Sequence, residues 1–293
     1  MRRFAIYTAC IGGYDNLLQP MVVDERFDYF LFTDAAIEDH LGVWQVRRVD
    51  YANPDKTRIA RYVKTHPEEL LPEYSATLWI DSNIQIQSET IYERFVELFE
   101  KAIQFASVKH PVRDCVYDEA YKILEIGLEK ERIVLEWCHK MRKEKFPPHE
   151  GLYETNVLFR VNDGTIKDLD ASWWKQIEEY SRRDQLSVRY VLWKMPVKQA
   201  FFLPPEENTR NSDAIKRMEH TSAEHQEGRR KMVLSKGERN RIKCRVKFAE
   251  KREEFKRFHY WLYQFPVWME YVFLSLWELV YGARLKLNHA IRR

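Results

Sequence analysis

Up to about residue 200 the apolar positions fall into short continuous runs that stop at a glycine or a polar residue, separated by longer stretches whose apolar positions recur on one helical face. Residues 4–8 form the first run and end in the turn signal Gly12-Gly13-Tyr14-Asp15. A second strand over 28–33 is stopped by Asp34, and 44–49 alternates as a third. After Asn53-Pro54-Asp55 the pattern switches to a helix over 56–69, closed by Pro72-Glu73-Tyr74. The nearly continuous apolar run 76–80 ends at Asp81, the pattern of a central strand buried on both faces. A helix over 90–105, a strand over 106–109, a long helical stretch over 115–141 and a strand over 153–161 follow. Last comes a helical stretch over 172–193 with Arg182-Arg183-Asp184-Gln185 in its middle or at a break. Strands alternating with helices predict an α/β fold, a mostly parallel central sheet flanked by helices.

Residues 204–228, rich in Pro, Asn, Glu and His, read as loop, either a linker or an ordered lid. Beyond Arg229 the pattern turns helical and basic, so a body over 1–225 and a helical extension over 226–293 are expected. Charge sharpens that division. Residues 229–257 carry 13 Lys/Arg against 4 Asp/Glu, whereas the whole 293-residue chain is only +3, so the body is net acidic. The last 36 residues hold ten aromatics, including Trp261, Trp268 and Trp277, with Arg284, Lys286, Arg292 and Arg293 downstream. Rings with polar edges flanked by cations suit the headgroup zone of an anionic membrane, while Gln264, Glu270 and Glu278 argue against spanning. A helical hairpin packed on protein fits the same residues. Thirteen cations would also suit nucleic acid, but the tryptophans beside them favour lipid, and no nucleic-acid partner is expected. The four cysteines form no CxxC pair or zinc spacing, and Gly12 interrupts the N-terminal run before a signal-peptide core could form. The expected setting is the cytoplasm, peripheral at the inner membrane face through residues 229–293.

Ligands of open α/β sheets gather outside the carboxyl ends of the strands. Parallel strands would bring residues 8–15, Asp34 and Asp81-Ser82-Asn83 to one such edge. Asp81 and Asn83, two apart in an extended segment, share a side and offer oxygens to Mn²⁺ or Mg²⁺; a helix N-cap or Asx-turn uses the same residue types. Gly12-Gly13 equally suits an ordinary tight turn. Arg58, Arg61 and Lys64 recur near one helix face and would serve phosphates, or merely form a solvated face. His110 and Arg113 follow another strand end, where an imidazole can meet metal or phosphate or simply be exposed.

The segments Tyr7-Thr8-Ala9-Cys10-Ile11-Gly12-Gly13-Tyr14-Asp15, Phe32-Thr33-Asp34, Leu78-Trp79-Ile80-Asp81-Ser82-Asn83-Ile84, the stretch from Lys109 to Ala120, Glu154-Thr155-Asn156-Val157 and Arg183-Asp184-Gln185-Leu186-Ser187 occur in one order. Together they resemble the ordered motifs of the TOD/MUCI glycosyltransferase-like family, over residues 4 to 200. The resemblance implies a GT-A, Rossmann-like fold and a glycosyltransferase that moves a sugar from a UDP-sugar, with retention, to a glycan or glycolipid acceptor of the cell envelope or capsule. By the same resemblance Thr8, Gly12, Tyr14 and Asp34 would hold the nucleotide, Arg58 the phosphates, and Ser82, His110, Arg113 and Asn156 would line the donor site. Asp81 and Asn83 would hold Mn²⁺ or Mg²⁺, with His220 as a further ligand, and Asp184 and Gln185 would face the sugar. Asn83, a neutral ligand, departs from the third position of the family's metal motif, and the departure implies weaker metal affinity or a dispensable metal. The alternative is a glycan- or nucleotide-binding module of the same fold without catalysis.

Overall fold

The computed structural model describes residues 4–13 and 16–219, with single positions 237, 242, 276, 279 and 280 beyond them. Two compact units divide these residues, one formed by 4–114 with 151–219 and the other by 115–150. Along the chain run β1 (Phe4–Cys10), β2 (Phe27–Thr33), β3 (His40–Leu41), β4 (Trp44–Arg48), α1 (Lys56–Thr65), α2 (Pro67–Leu70), β5 (Ala76–Ile80), β6 (Ile84–Ile86), α3 (Thr90–Glu100) and β7 (Phe105–Lys109). Then follow α4 (Val116–Glu125), α5 (Glu131–Lys143), β8 (Tyr153–Val161), α6 (Gly164–Glu179), α7 (Asp184–Lys194), β9 (Gln199–Phe201) and β10 (Ile215–Arg217).

Eight strands form the central sheet in the order β3-β4-β2-β1-β5-β8-β7-β9, and β6 pairs with β10 in a separate ribbon. The pairs β1–β2, β1–β5, β2–β4 and β7–β9 are parallel, so the expected mostly parallel sheet is present. One central strand departs from it: β8 runs antiparallel to both β5 and β7. Its first residues, not its last, therefore lie at the carboxyl rim of the parallel strands, and the Asn156 carbonyl accepts from the Asp81 amide there at 2.9 Å.

Three expected helices are divided, each for a local reason. The stretch 56–69 breaks at His66, because the residue before Pro67 is driven out of the helical region. Gly127, at φ 68°, ends α4 with the Leu128 amide bonded back to Ile123, the glycine-capped helix end. The third break, between α6 and α7, spans Tyr180 to Arg183, and α6 itself starts earlier than the apolar pattern suggested because the Asp163 side chain caps the Ile166 amide at 2.8 Å.

The sheet's two faces are packed differently. Residues alternate between faces along each strand, so Phe4 and Ile6, Leu78 and Ile80, and Val157 and Phe159 share the face covered by α3. Phe95 of α3 anchors it, its ring centroid 4.9 Å from Phe4, 4.9 Å from Phe27 and 4.8 Å from Phe159. On the opposite face Tyr7, Trp79 and Arg160 meet α1 and α6. Arg160 and Asp170 are both fully enclosed and paired at 2.8 Å, and the same guanidinium reaches the Tyr7 hydroxyl and the Lys64 carbonyl.

In the second unit Trp137 and Met141 of α5 and Ile123 of α4 are buried, Tyr117 donates to the Phe146 carbonyl at 2.8 Å, and the Arg142 guanidinium lies 4.2 Å from the Tyr117 ring. Among the described residues no helix is long and apolar enough to cross a membrane. The helical, membrane-facing extension expected over 226–293 lies outside the described residues, apart from the five single positions.

Candidate functional site

Neighbouring strand ends β2, β1, β5 and β8 build one rim. Gly12, at φ 67°, follows β1, and its N–H donates to Asp34 Oδ1 at 2.8 Å just past β2. Thr33 ties the same two ends, donating to the Cys10 carbonyl at 2.8 Å. Lys56, the first residue of α1, sets its ammonium 2.6 Å from Asp34 Oδ2 and its aliphatic stem over Gly12, where a Cβ would come 3.3 Å from Lys56 Cγ. Any side chain at Gly12 would thus meet both an adverse φ and the lysine. Partial burial raises the Asp34 carboxyl, but the Gly12 amide and Lys56 outweigh it and hold the group below the usual carboxylate range.

On the next strand, Asp81 stands at the end of β5 with its side chain 29% exposed, open enough to meet a ligand. Its Oδ1 accepts from Trp79 Nε1 at 2.8 Å and lies 3.5 Å from Lys64 Nζ, while Oδ2 has no partner among the described residues. The segment turns at once, the Ile84 amide bonding back to the Asp81 carbonyl at 2.8 Å. Asn83 is buried and clamps Met218 twice: its carbonyl accepts from the Met218 amide and its own amide donates to the Met218 carbonyl, both at 2.8 Å. That bond fixes the Asn83 amide and leaves Oδ1 for another partner. Ser82 beside it is 9% exposed.

Behind Asp81 lies a buried charge cluster. Lys64 of α1 has a side chain 1% exposed, with Nζ 2.6 Å from Asp184 Oδ2. Arg61 Nε lies 3.2 Å from Asp184 Oδ1, and the Thr155 hydroxyl donates to Oδ2 at 2.8 Å. Burial would raise the Asp184 carboxyl, yet Arg61 and Lys64 overcome that and hold it far below the usual range. Burial likewise lowers the Lys64 ammonium, against which Asp184 and Asp81 act.

The remaining rim residues come from β7, β8 and the loop before β10. His110 Nδ1 accepts from the Arg113 amide at 2.9 Å and the Val112 amide at 3.2 Å, and Nε2 lies 3.1 Å from Arg113 Nη2. Burial, then the charges of Arg113 and Arg210, lowers the imidazole to about 4, so the ring is neutral near pH 7. Glu154 is buried under Arg210 at 2.5 Å and Thr209 at 3.1 Å, and Asn156 donates to the same Thr209 hydroxyl at 3.1 Å. The Asn156 Oδ1 is buried without a partner among the described residues.

Of the residues singled out from sequence, Gly12, Asp34, Asp81, Ser82, Asn83 and Asn156 thus fall on adjoining strand ends. Several sit differently from their expected roles. Thr8 is wholly enclosed within β1, its hydroxyl unpartnered among the described residues. The Arg58 guanidinium donates to the carbonyls of Ile177, Glu178 and Tyr180, satisfying the orphan acceptors that end α6. As it stands Asp184 is not open to a sugar, being 2% exposed with both oxygens held by Lys64, Arg61 and Thr155. Gln185 is half-buried and donates to the Tyr153 carbonyl at 2.8 Å. Tyr14 and His220 lie outside the described residues. Lys56 and Glu154 carry rim contacts that sequence reasoning did not assign. Lys56 directly after an Asp N-cap is a usable signal; Glu154 stands in the motif Glu154-Thr155-Asn156-Val157, but nothing in its local pattern gives it a role.

Asp81 and Asn83 can offer one charged and one neutral oxygen, a donor set that suits Mg²⁺ or Mn²⁺ in kind but is thin in charge. Among the described residues no group of three His, Cys, Asp or Glu side chains is placed to hold a metal ion.

A search of curated proteins finds no match. Among solved structures, the chain is similar to the apo structure of WbbM, a bifunctional glycosyltransferase, at 10% identity and a TM-score of 0.38, over 68% of this chain and 38% of that one. The chain thus spans well under half the length of that protein. A family model for the TOD1/MUCI70 glycosyltransferase-like domain matches residues 11–220, and with most of its length inside that match the chain belongs to this family.

Proposed function

We propose that the chain is a GT-A glycosyltransferase that moves a sugar from a nucleotide-sugar, UDP its expected nucleotide, to a hydroxyl of a cell-envelope or capsular glycan or glycolipid, with retention at the anomeric carbon. The observation that supports it most is the half-open Asp81 carboxylate on the strand next to the Gly12–Asp34 pair, with buried cations behind it. In such a transfer the bond from the anomeric carbon to phosphate oxygen breaks, that carbon bonds an acceptor oxygen, and the hydroxyl proton passes to a base. The barrier lies in the departing diphosphate, so cations and amide donors fixed in advance do most of the work.

Gly12 and Asp34 would hold the nucleoside, Asp34 exchanging Lys56 for the donor's own N–H or hydroxyl groups. Asp81 and Asn83 would hold Mn²⁺ or Mg²⁺, which when bound neutralises the leaving diphosphate; His220, two residues past Met218, is the candidate for a further ligand. Gln185 would face the sugar, positioned by the Tyr153 carbonyl, while Asp184 keeps the cluster beneath in place. His110, neutral, with Arg113 and Asn156, would line the far side of the donor. Peripheral attachment to an anionic membrane by residues 229–293 fits a glycolipid acceptor in the cytoplasm; liposomes that float the full chain and a chain ending at 228 equally would dismiss it.

A melting screen against UDP-, GDP-, CMP- and dTDP-sugars, with and without Mn²⁺, should single out the donor, since ligand bound to the native state raises its melting temperature. Release of UDP from that donor should then fall at least a hundredfold in Asp81→Ala with the fold retained, about the loss expected for one electrostatic contact to the transition state. Full turnover by the folded variant would remove Asp81 from the site. A second reading, binding without catalysis, is favoured by the thin metal set at Asp81 and Asn83, and requires donor binding with no UDP release.

A further inference from the structure

We propose that Lys64 is a built-in counter-cation for Asp81, parked there by Asp184, and that it competes with a divalent cation for the Asp81 carboxylate. The proposal rests on the reading of the rim as a nucleotide-sugar site. Four charged groups form the cluster: Lys64, Arg61, Asp184 and Asp81. Lys64 and Arg61 pair directly with these carboxylates, and the Arg183 charge also acts on Asp184, so the carboxylates are already countered with no metal present. Lys64 has no solvent to retreat into, being 1% exposed, and its ammonium lies 5.4 Å from the centroid of the Trp79 ring. Its ammonium must therefore take its partners from what surrounds it, Asp184 at 2.6 Å and Asp81 at 3.5 Å.

Asp184 in turn cannot follow the lysine. Thr155 on β8 and Arg61 on α1 hold it, and its own backbone carbonyl accepts from Trp173 Nε1 at 3.1 Å. The position of the ammonium is thus set by a fixed anion on one side, and Asp81 receives what attraction is left. On Asp81 the consequence is specific. Oδ1 carries both the Trp79 indole and the ammonium, so a metal ion would share its only charged ligand among the described residues with a cation a few ångströms away. Asn83 adds no negative charge to offset this. A dication and an ammonium at that separation repel by enough, even in a water-like dielectric, to change affinity by about tenfold.

Two substitutions should then act in opposite directions. Asp184→Asn removes the anchor's charge, leaves Lys64 with Asp81 as its only strong partner, and should weaken Mn²⁺ binding by about tenfold. Lys64→Met combined with Asp184→Asn removes the ammonium beside Asp81 together with its anchor, leaves Arg61 at the cluster's edge without that carboxylate, and should tighten Mn²⁺ by about tenfold. A merely structural role for the pair would loosen the site in both. Mn²⁺ alone, titrated into the full chain and followed by the electron paramagnetic resonance of the free ion, measures this directly, with melting curves to confirm folding. Equal affinities in the three proteins, a change of the same sign in both variants, or no binding by any of them overturns the proposal. UDP added without metal gives the separate check on the donor site: a melting shift in all three proteins upholds that reading whatever Mn²⁺ does, and no shift in any takes it down instead.

Discussion

The α3 face of the sheet and the α1/α6 face bury comparable elements by opposite means. On the first, Phe4, Phe27, Phe95 and Phe159 interlock with aliphatic neighbours, and each gains from leaving water. On the second, Arg160, Asp170, Lys64 and Asp184 are enclosed, which costs desolvation that their mutual attraction repays only in good geometry. A face that needed stability alone would be better filled with leucine. The charged face instead ends at Asp81 and Asp184, at the rim, whereas the apolar face stays within the core. Position, not stability, is what the buried charges supply: each cation fixes the place of a carboxylate that would otherwise move with its own side chain.

Breaking one partner on the charged face should therefore have the largest effect on folding. Arg160→Met leaves Asp170 fully enclosed with no counter-charge and should cost about 3–5 kcal/mol in chemical denaturation, while Arg160→Met with Asp170→Leu should recover most of it. If the double variant is as unstable as the single, the pair is a net stabiliser and the contrast between the faces fails. Phe95→Ala tests the other side. Three ring contacts are lost and a cavity is left, so about 3–4 kcal/mol should go, with donor affinity at the rim unchanged in whatever fraction stays folded.

Sequence legibility follows the same division. The apolar face announces itself: the runs at 4–8, 28–33 and 76–80 and the amphipathic α3 are recoverable because burial of carbon leaves a periodic trace. Asp34 and Asp81 were legible as stops at the ends of such runs. The charged face leaves no comparable trace, because an enclosed lysine and an exposed one are the same letter. Lys64 and Arg61 read as a cationic helix face when they are half of a closed ion cluster, and Asp184 reads as a group open to a sugar when its oxygens are already taken. Arg58, assigned to phosphates, in fact finishes a helix more than a hundred residues away, a contact no local pattern encodes. Strand direction was equally hidden: nothing in residues 153–161 says that β8 runs backwards, yet that reversal brings Glu154, Thr155 and Asn156 to the rim.

A smaller effect is expected where the charged face is merely held in place. The Asp163 carboxylate caps the first turn of α6, the helix that carries Asp170, accepting from the Ile166 amide at 2.8 Å, and its other oxygen accepts from Gln104. Asp163→Ala should cost about 1 kcal/mol. Asp163→Ser, which keeps the cap but loses the Gln104 contact, should recover the greater part. Equal losses in both would shift the weight from the cap to Gln104.

The last expected effect appears only on acidification and lies on the rim itself, where His110 is a titratable group that the fold keeps neutral. Burial and the nearby Arg113 and Arg210 charges depress the imidazole from 6.5 to about 4, so between those values the unfolded chain binds a proton that the folded chain refuses. Stability linked to this group is complete above about pH 6.5 and is lost as the pH falls toward 4. His110→Asn keeps an acceptor for the Val112 and Arg113 amides and removes the titration. Melting temperatures measured from pH 7 to pH 4 should fall more steeply for the natural chain than for the variant, with the two curves separating below pH 6.5. Parallel curves would mean that the imidazole charges without cost, and that the rim around β7 is more open to water than the enclosed face beside it.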